Sequence, residues 1–385
     1  MAGAAGGAGS AALLYGIMPQ QQEEDSEYKS RKGYYLKDLA RSFVQALGET
    51  GAAASGRLLH YTADFICSGG FPLWQRLCWD YAFDHIGIAS PRVFYYLNRR
   101  FKEIDAINAR LPFETFCTNA QVQSASAEIV LILQGCPRKT KIRPPPVPQD
   151  THENEGWLAS VVRASDKATT RRVWSGSQDS PEMLYAANEL VQAITEAATE
   201  RALFWMRWLL EEDALQRKKL GAGMSTCERG PATLASKQRT SVGYFICSVL
   251  AEVYKEFAEK GMVRLHEEFQ QLLDLYRTTD GTLQARRKMD CMILMINILT
   301  EVPRWKVPAA PSLVQDPTVL SRAVAAAPQF YREILMLPAP AKHMPKTVGS
   351  LAQKRVAKTD EKADKITSQL EAMDRLLMGM YDGGM

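Results

Sequence analysis

From about Tyr34 onward, the apolar positions of this chain recur at helical intervals. Leu58, Thr62, Phe65 and Ile66 share one helix face. The Gly69-Gly70 pair after them predicts a helix end, because glycine takes the left-handed C-cap conformation without steric cost. A second helix carries Leu73, Leu77, Tyr81 and Phe83 to Ile86, and Gly87 stops it. Ser90-Pro91 restarts a third: serine can cap free N–H groups, and proline fits the first helical position, where no donor is needed. The same signal recurs at Ser180-Pro181 and Asp316-Pro317. Helical spacing continues over roughly 119–134, 182–197, 200–219, 240–260, 262–277, 284–300 and 317–336. Within 240–260, Val242, Ile246, Val249, Val253 and Phe257 trace one apolar stripe. No long polar/apolar alternation bounded by hairpin turns occurs, so the expected fold class is all-α, a multi-helix bundle.

Composition divides the chain. Residues 1–30 are Ala/Gly-rich and then Gln/Glu-rich, too poor in apolar surface to fold alone, and are expected to form a disordered tail. An N-terminal helical unit covers 31–137 and a C-terminal one 156–337. Between them, 138–155 opens on RKTKIRPPPVP, a basic, Pro-rich stretch that reads as an extended, exposed linker. A second Pro- and Lys-rich linker covers 338–358. In 359–385, Ile366, Leu370, Met373, Leu377 and Met380 recur at three- and four-residue steps, about three heptads, which predicts a short coiled-coil-like helix and an oligomerisation surface.

The bulk numbers set the class. With 385 residues, 46% hydrophobic and 23% charged, the chain has ample material for a core. A net charge of +4 permits an acidic partner without demanding one. The seven cysteines show no CxxC, and most sit in apolar helical patterns, as buried free thiols do in a reducing compartment. No apolar run reaches membrane-span length, and Ala11–Met18 lacks the charged start of a signal peptide. The expectation is an intracellular protein, cytoplasmic or nuclear, with no membrane partner.

The two units echo each other. Val44-Gln45-Ala46 returns as Val191-Gln192-Ala193, and Arg57-x-Leu59-x-Tyr61 as Arg201-x-Leu203-x-Trp205, at offsets of 147 and 144. A duplication with a loop three residues shorter in the second copy would account for this. Leu58 to Ile66, the glycine turn, and Phe83-Asp84-His85-Ile86-Gly87-Ile88-Ala89-Ser90-Pro91 also form a series with a known counterpart. It resembles the helical C-terminal region of the replication-associated AAA+ ATPases of the MgsA/WRNIP type, where a similar helix precedes one ending in an S-E-D-I-G-x-A-D-P phrase. The likeness covers about 60 residues here. Arg201–Leu210 is similar to the first of those helices but lacks the D-I-G turn. The resemblance implies a helical module that oligomerises within replication or repair machinery. The ATPase itself is missing: no G-x-x-x-x-G-K-[ST] occurs, and the Gly-rich 48–57 stretch follows a helix and lacks the phosphate-binding lysine.

Catalytic chemistry is not expected, and no cofactor or metal site is expected either. The five histidines form no HExxH or HxH pair. Asp84-His85 reads as a helix end, because adjacent helical side chains point apart. Glu211-Glu212-Asp213 reads as a solvated face, and the tryptophans as core. Basic clusters are the strongest positive signal. Arg99, Arg100 and Lys102 follow Tyr95-Tyr96; Arg138, Lys139, Lys141 and Arg143 lie in the linker; Arg217-Lys218-Lys219 and Arg286-Arg287-Lys288 flank helices. The first two sets are candidates for gripping a phosphate backbone. The functional expectation is a non-enzymatic helical interaction and assembly protein, accessory to DNA replication or repair, whose partners are itself or a larger protein complex. The alternative is a sequence-independent nucleic-acid-binding or virion structural protein, since helix-only chains of this kind also occur among proteins of large DNA viruses.

Overall fold

A computed structural model describes residues 28–340 except 155, 231, 233–235, 264–265, 278–284, 302–312 and 315. The expected tail up to residue 27, most of the 338–358 linker and the 359–385 heptads lie outside these residues. The described chain is all-α: beyond one isolated bridge between Lys29 and Tyr35, no strand occurs among the described residues.

The N-terminal unit begins with α1 (Leu36–Gly48) and α2 (Ala52–Cys67). Gly51, at φ +97°, makes the turn between them. Helix α2 ends as its sequence predicts. Gly69 has φ +81°, its N–H donates to Ile66 O (3.2 Å), and the Gly70 N–H reaches Phe65 O (2.7 Å). This pair of bonds satisfies carbonyls that the helix end would otherwise leave free. Helix α3 (Phe71–Tyr81) widens into a π turn over Ala82–Ile86, and a 3₁₀ turn (Gly87–Ala89) leads to α4 (Arg92–Asn108). Gly87, at φ +50°, stops the helix as expected. Ser90 does not cap with its side chain; its carbonyl accepts the Val93 N–H (3.1 Å) instead. A short α5 (Phe113–Thr118) precedes α6 (Ala120–Gly135), where the Asn119 side chain accepts from the N–H groups of Gln121 and Val122. Helix α6 is apolar nearly all round, as befits a helix with neighbours on every side.

The C-terminal half opens on three short turns, α7 (Asp150–Glu153), α8 (Trp157–Val161) and α9 (Ala168–Arg171), before α10 (Pro181–Thr195) and α11 (Thr199–Leu220). Then come α12 (Ser236–Arg239), α13 (Val242–Glu259), α14 (His266–Arg277), α15 (Ala285–Glu301) and α16 (Pro317–Leu335). Pro181 and Pro317 are the first residues of their helices. Asp316 caps α16 by accepting the Thr318 N–H (2.9 Å), whereas the Ser180 hydroxyl turns away to accept Ser225 N–H (3.0 Å) and pin that loop.

Two five-helix sets repeat one packing plan. In the set α1, α2, α3, α4, α6, the first two helices form a hairpin, the third packs on both, and the fifth packs on all four. The set α10, α11, α13, α14, α15 does the same, and in both the fourth helix packs on the fifth and sets an aromatic side chain against the third, Phe101 on Trp74 and Phe269 on Tyr254. The sequence echo falls on the two hairpins, and side-chain bonds match there as well. Gln45 donates to Glu49 (3.0 Å), which also receives Arg57; Gln192 donates to Glu196 (2.7 Å), which also receives Arg201. The three-residue difference does not sit in the loops, since both have three residues. Instead α2 starts nearly one turn earlier than α11 relative to its arginine.

The two sets meet through their corresponding fourth helices, α4 and α14, where Arg92 reaches Glu268 (3.2 Å). Contact between like elements is what a two-fold axis produces in a dimer. The segments that follow each set then cross over. Helix α16 packs on α2 and α6, and residues 138–157 run along α11 and α15. The boundary expected at 138–155 therefore does not divide the core, whose buried residues form one cluster from Leu36 to Ile334.

One backbone position departs from what its residue prefers. Ala197 sits at φ +55°, with its N–H on Ile194 O (2.9 Å) and the Ala198 N–H on Ala193 O (2.8 Å), the geometry that Gly69 serves in the first hairpin region. A Cβ in that conformation costs about 1 kcal/mol. Ala197→Gly is expected to stabilise the chain by about 0.5–1 kcal/mol, seen as a higher urea midpoint at unchanged slope. A lower midpoint would show that the helix end relaxes differently.

Candidate functional site

The phrase Asp84-His85-Ile86-Gly87 lies at a buried charge network. Arg287, 5% exposed in its side chain, donates to Asp80 (2.7 Å), to both oxygens of Asp84 (3.1 Å each) and to Asp290 (2.7 Å). Its guanidinium also lies 5.5 Å from the Phe83 ring centroid. Lys141 adds a second cation, 2.5 Å from Asp290 and 3.3 Å from Asp84. The surrounding carboxylates raise the Arg287 pKa against the opposing effect of burial. Asp80 and Asp84 are one helical turn apart on α3 and its π turn, so both face α15. Asp84 is turned to Arg287, while the His85 ring lies against Tyr81 (4.8 Å between centroids) and its carbonyl accepts the Lys139 N–H (3.0 Å).

This network changes the reading of the basic linker. Its backbone is extended and much of it is exposed, Arg138 and Lys139 included, but it is a strap laid on the protein and not a free tether. Arg138 donates to the carbonyls of Leu47 (3.1 Å) and Gly48 (2.5 Å), the open end of α1, where a cation is favoured. Lys139 meets Glu301 (2.5 Å), and Lys141 enters the network with a side chain 19% exposed. Arg143 stays exposed. Like charges in sequence suggested a surface for phosphate; the carboxylates they meet, on α3 and α15, are far away in the chain. On α4, Arg100 pairs with Glu128 (2.6 Å), which also accepts the Tyr96 hydroxyl (2.8 Å), and Arg99 pairs with Glu103 (3.2 Å). Lys102 is exposed. Five of the seven candidate cations, Arg99, Arg100, Arg138, Lys139 and Lys141, thus meet carboxylates or carbonyls of the protein itself.

The carboxylates of α11 are likewise engaged. Glu211 receives Arg207 (2.6 Å), Asp213 receives Arg217 (3.0 Å), and Glu212 bonds His152 Nδ1 (2.7 Å). His152 is stacked on Trp208 (5.5 Å between centroids, 12° between planes), and Trp157 packs beside it against Trp205 and Trp208. The expected solvated face is therefore covered in part: His152 of α7 lies on Glu212, while the Glu211 side chain stays 36% exposed. The tryptophans do pack in the core: Trp74, Trp79, Trp205 and Trp208 are buried. All seven cysteines are free and six are buried. Burial pushes the thiols of Cys78, Cys247 and Cys291 well up, and that of Cys136 to about 11, so they stay protonated. Among the described residues, no group of three or more His, Cys, Asp or Glu side chains is arranged to hold a metal ion, and no helix is long and apolar enough to cross a membrane.

The concave feature open to a partner is a groove of 660 Å³ between α2, α6 and α16. Leu59, Leu131, Leu320, Ala323, Ala326 and Phe330 are among the apolar residues that line it. At its floor the Ser55 hydroxyl donates to Gln134 (2.7 Å), whose amide donates to Ala46 O (3.1 Å), so these polar groups are already satisfied. No sequence motif marks this groove, since its three walls come from helices up to about 270 residues apart. The only available signal is the set of small residues on the α2 and α16 faces.

Fold and groove together define an all-α protein made of two like-packed helical sets with an apolar seat on the first. No protein-family model matches the chain, and no curated protein or solved structure was found to match it either.

Proposed function

We propose that this chain is a non-enzymatic helical interaction protein that assembles with itself or with a larger protein complex, in a role accessory to DNA replication or repair. The observation that carries the reading is the character of the groove. Its walls are mostly apolar, Ser55 and Gln134 at its floor are paired to each other, and the Arg287 and Glu212 networks lie elsewhere in the protein. An apolar trough between helices is the surface on which a partner helix lays its own apolar face. The resemblance of residues 58–91 to the oligomerising region of replication ATPases supports the assembly role and the cellular process. The test is light scattering of the purified chain together with affinity capture of defined replication and repair assemblies. A chain that stays monomeric at every concentration and retains none of those proteins removes the reading.

A further inference from the structure

The groove has the length of a helix seat, and the chain carries a segment of matching length. Along α16 the groove runs from Asp316 to Phe330. Fourteen residues of helix rise about 21 Å. The apolar stripe from Ile366 to Met380 spans the same fourteen residues. The floor also has room: a Cβ added at Gly51 or at Gly56 would meet nothing within 4 Å, and Ser55, Ala323 and Ala326 are small. Large side chains on a visiting helix suit small ones on its seat.

We infer that residues 363–380 of the same chain dock in this groove as an amphipathic helix, setting Ile366, Leu370, Met373 and Leu377 against Leu59, Leu131, Leu320 and Phe330. The inference rests on the reading of the chain as an interaction protein and names the occupant its groove takes first.

Reach favours the chain's own segment. The Leu337 carbonyl is held by Arg31 (3.0 Å), beyond the Phe330 end of the groove. From Pro340 to Ala363 there are 23 residues, which span up to about 75–80 Å when extended. That is several times the length of the groove. A tether of this kind supplies its ligand at roughly millimolar effective concentration, well above the concentration of a second copy. The groove lining carries one cation and one carboxylate, Arg322 and Asp316, so a segment bearing both signs, Asp364, Glu371 and Asp374 with Lys365 and Arg375, meets no net repulsion there. The fold already uses the same device, since the segment after each helical set crosses to seat on the other set.

The experiment places the photo-reactive residue p-benzoylphenylalanine at Ala323, and separately at Ser55, in the full chain. Isotopically light and heavy chains are mixed before irradiation, and cross-linked peptides are read by mass spectrometry. The expected product joins the groove to residues 363–380 within one chain, and falls at least tenfold when Leu370→Glu and Leu377→Glu are introduced. Mixed light–heavy products would assign the groove to a second copy and overturn the inference. Cross-links to residues 302–312 alone, or none to the C-terminal segment, would also overturn it. These outcomes separate the two claims: a chain that still assembles in light scattering without this cross-link keeps the interaction reading and loses its occupant. A cross-linked chain with no partner and no assembly does the reverse.

Discussion

Arg287→Met is expected to destabilise the protein by about 3–5 kcal/mol, the range seen when one partner of a buried ion network is removed. Three carboxylates, Asp80, Asp84 and Asp290, would then lose their shared guanidinium, Lys141 would still reach Asp84 and Asp290, and Asp290 is 1% exposed. Methionine fills much of the arginine stem's volume, so the loss measures charge more than packing. The check is urea unfolding followed by tryptophan fluorescence at neutral pH. Arg287→Lys should fall between the two, because an ammonium keeps the charge but cannot fork to Asp80 and Asp84 together. A second readout tests the network itself. With Arg287 gone, Lys141 has less reason to hold the strap, and limited proteolysis at 137–149 should accelerate while the rest of the chain resists. Adding Asp290→Asn to Arg287→Met should recover part of the loss, since residues in one network couple. A cost below about 1 kcal/mol for Arg287→Met would show that the cluster is solvated and not structural.

The contrast between helices and network shows what a sequence displays. Helix α13 is legible because Val242, Ile246, Val249, Val253 and Phe257 repeat at the helical period, and the observed helix, Val242–Glu259, buries all five. The Gly69-Gly70 stop is legible because its chemistry is local. The strap is not. Arg138, Lys139 and Lys141 look like free charges to any reading confined to neighbours, while their partners, the carbonyls of Leu47 and Gly48 and the carboxylates of Glu301, Asp84 and Asp290, lie far off in the chain. A partial signal existed: Asp80 and Asp84 stand one turn apart among Leu77, Cys78, Trp79, Tyr81 and Phe83, and Arg287 and Asp290 one turn apart on another helix. Carboxylates in such company need a cation, though sequence alone does not say which.

The repeat was half legible for a similar reason. The echo caught Gln45 and Gln192, and Arg57 and Arg201, but not the residue that joins each pair. Glu49 and Glu196 keep the offset of 147 and lie in the hairpin turns, where each takes a glutamine and an arginine. Both carboxyls are held below their ordinary pKa, by the Arg57 bond at Glu49 and by the Gln192 bond at Glu196. A surface bond of this kind contributes little stability. Its recurrence matters as a second match between the hairpins, since in both a turn glutamate joins a glutamine of the first helix to an arginine of the second. The groove is the least legible feature because it belongs to no element. It exists only once α16, from the second half, has settled beside α2 and α6 of the first.

Asp179→Asn should cost about 2–4 kcal/mol at neutral pH, the range for leaving a buried charged partner unpaired. The Asp179 side chain has no exposed surface, and that of Arg229 is 8% exposed. One Asp179 oxygen accepts the Cys227 N–H (2.8 Å) and Arg229 Nη1 (3.0 Å); the other accepts the Ser175 N–H (2.7 Å) and Arg229 Nη2. Arg229 also donates to Val173 O (2.9 Å) and stands over the Phe245 ring. These bonds tie the 173–180 turn to the 225–229 loop, and both to α13. Asparagine offers one acceptor where the carboxylate offers two, and leaves Arg229 without its counter-charge. The pH dependence follows from the sign of the shift. Burial alone would push the Asp179 carboxyl up, but the Arg229 bonds and the two backbone N–H groups outweigh it and hold the pKa below the usual value. A lowered folded-state pKa means the stabilisation is present above the unfolded value of about 3.9 and is lost as pH falls through the lower folded value. The gap between the native chain and Asp179→Asn should therefore be full at pH 7, begin to close only below about pH 4, and vanish once the folded carboxyl is protonated. Urea midpoints for both chains between about pH 2.5 and 7 measure this. A gap that closes already between pH 7 and 5 would mean that Asp179 titrates as a strained acid and not as the anchor of Arg229.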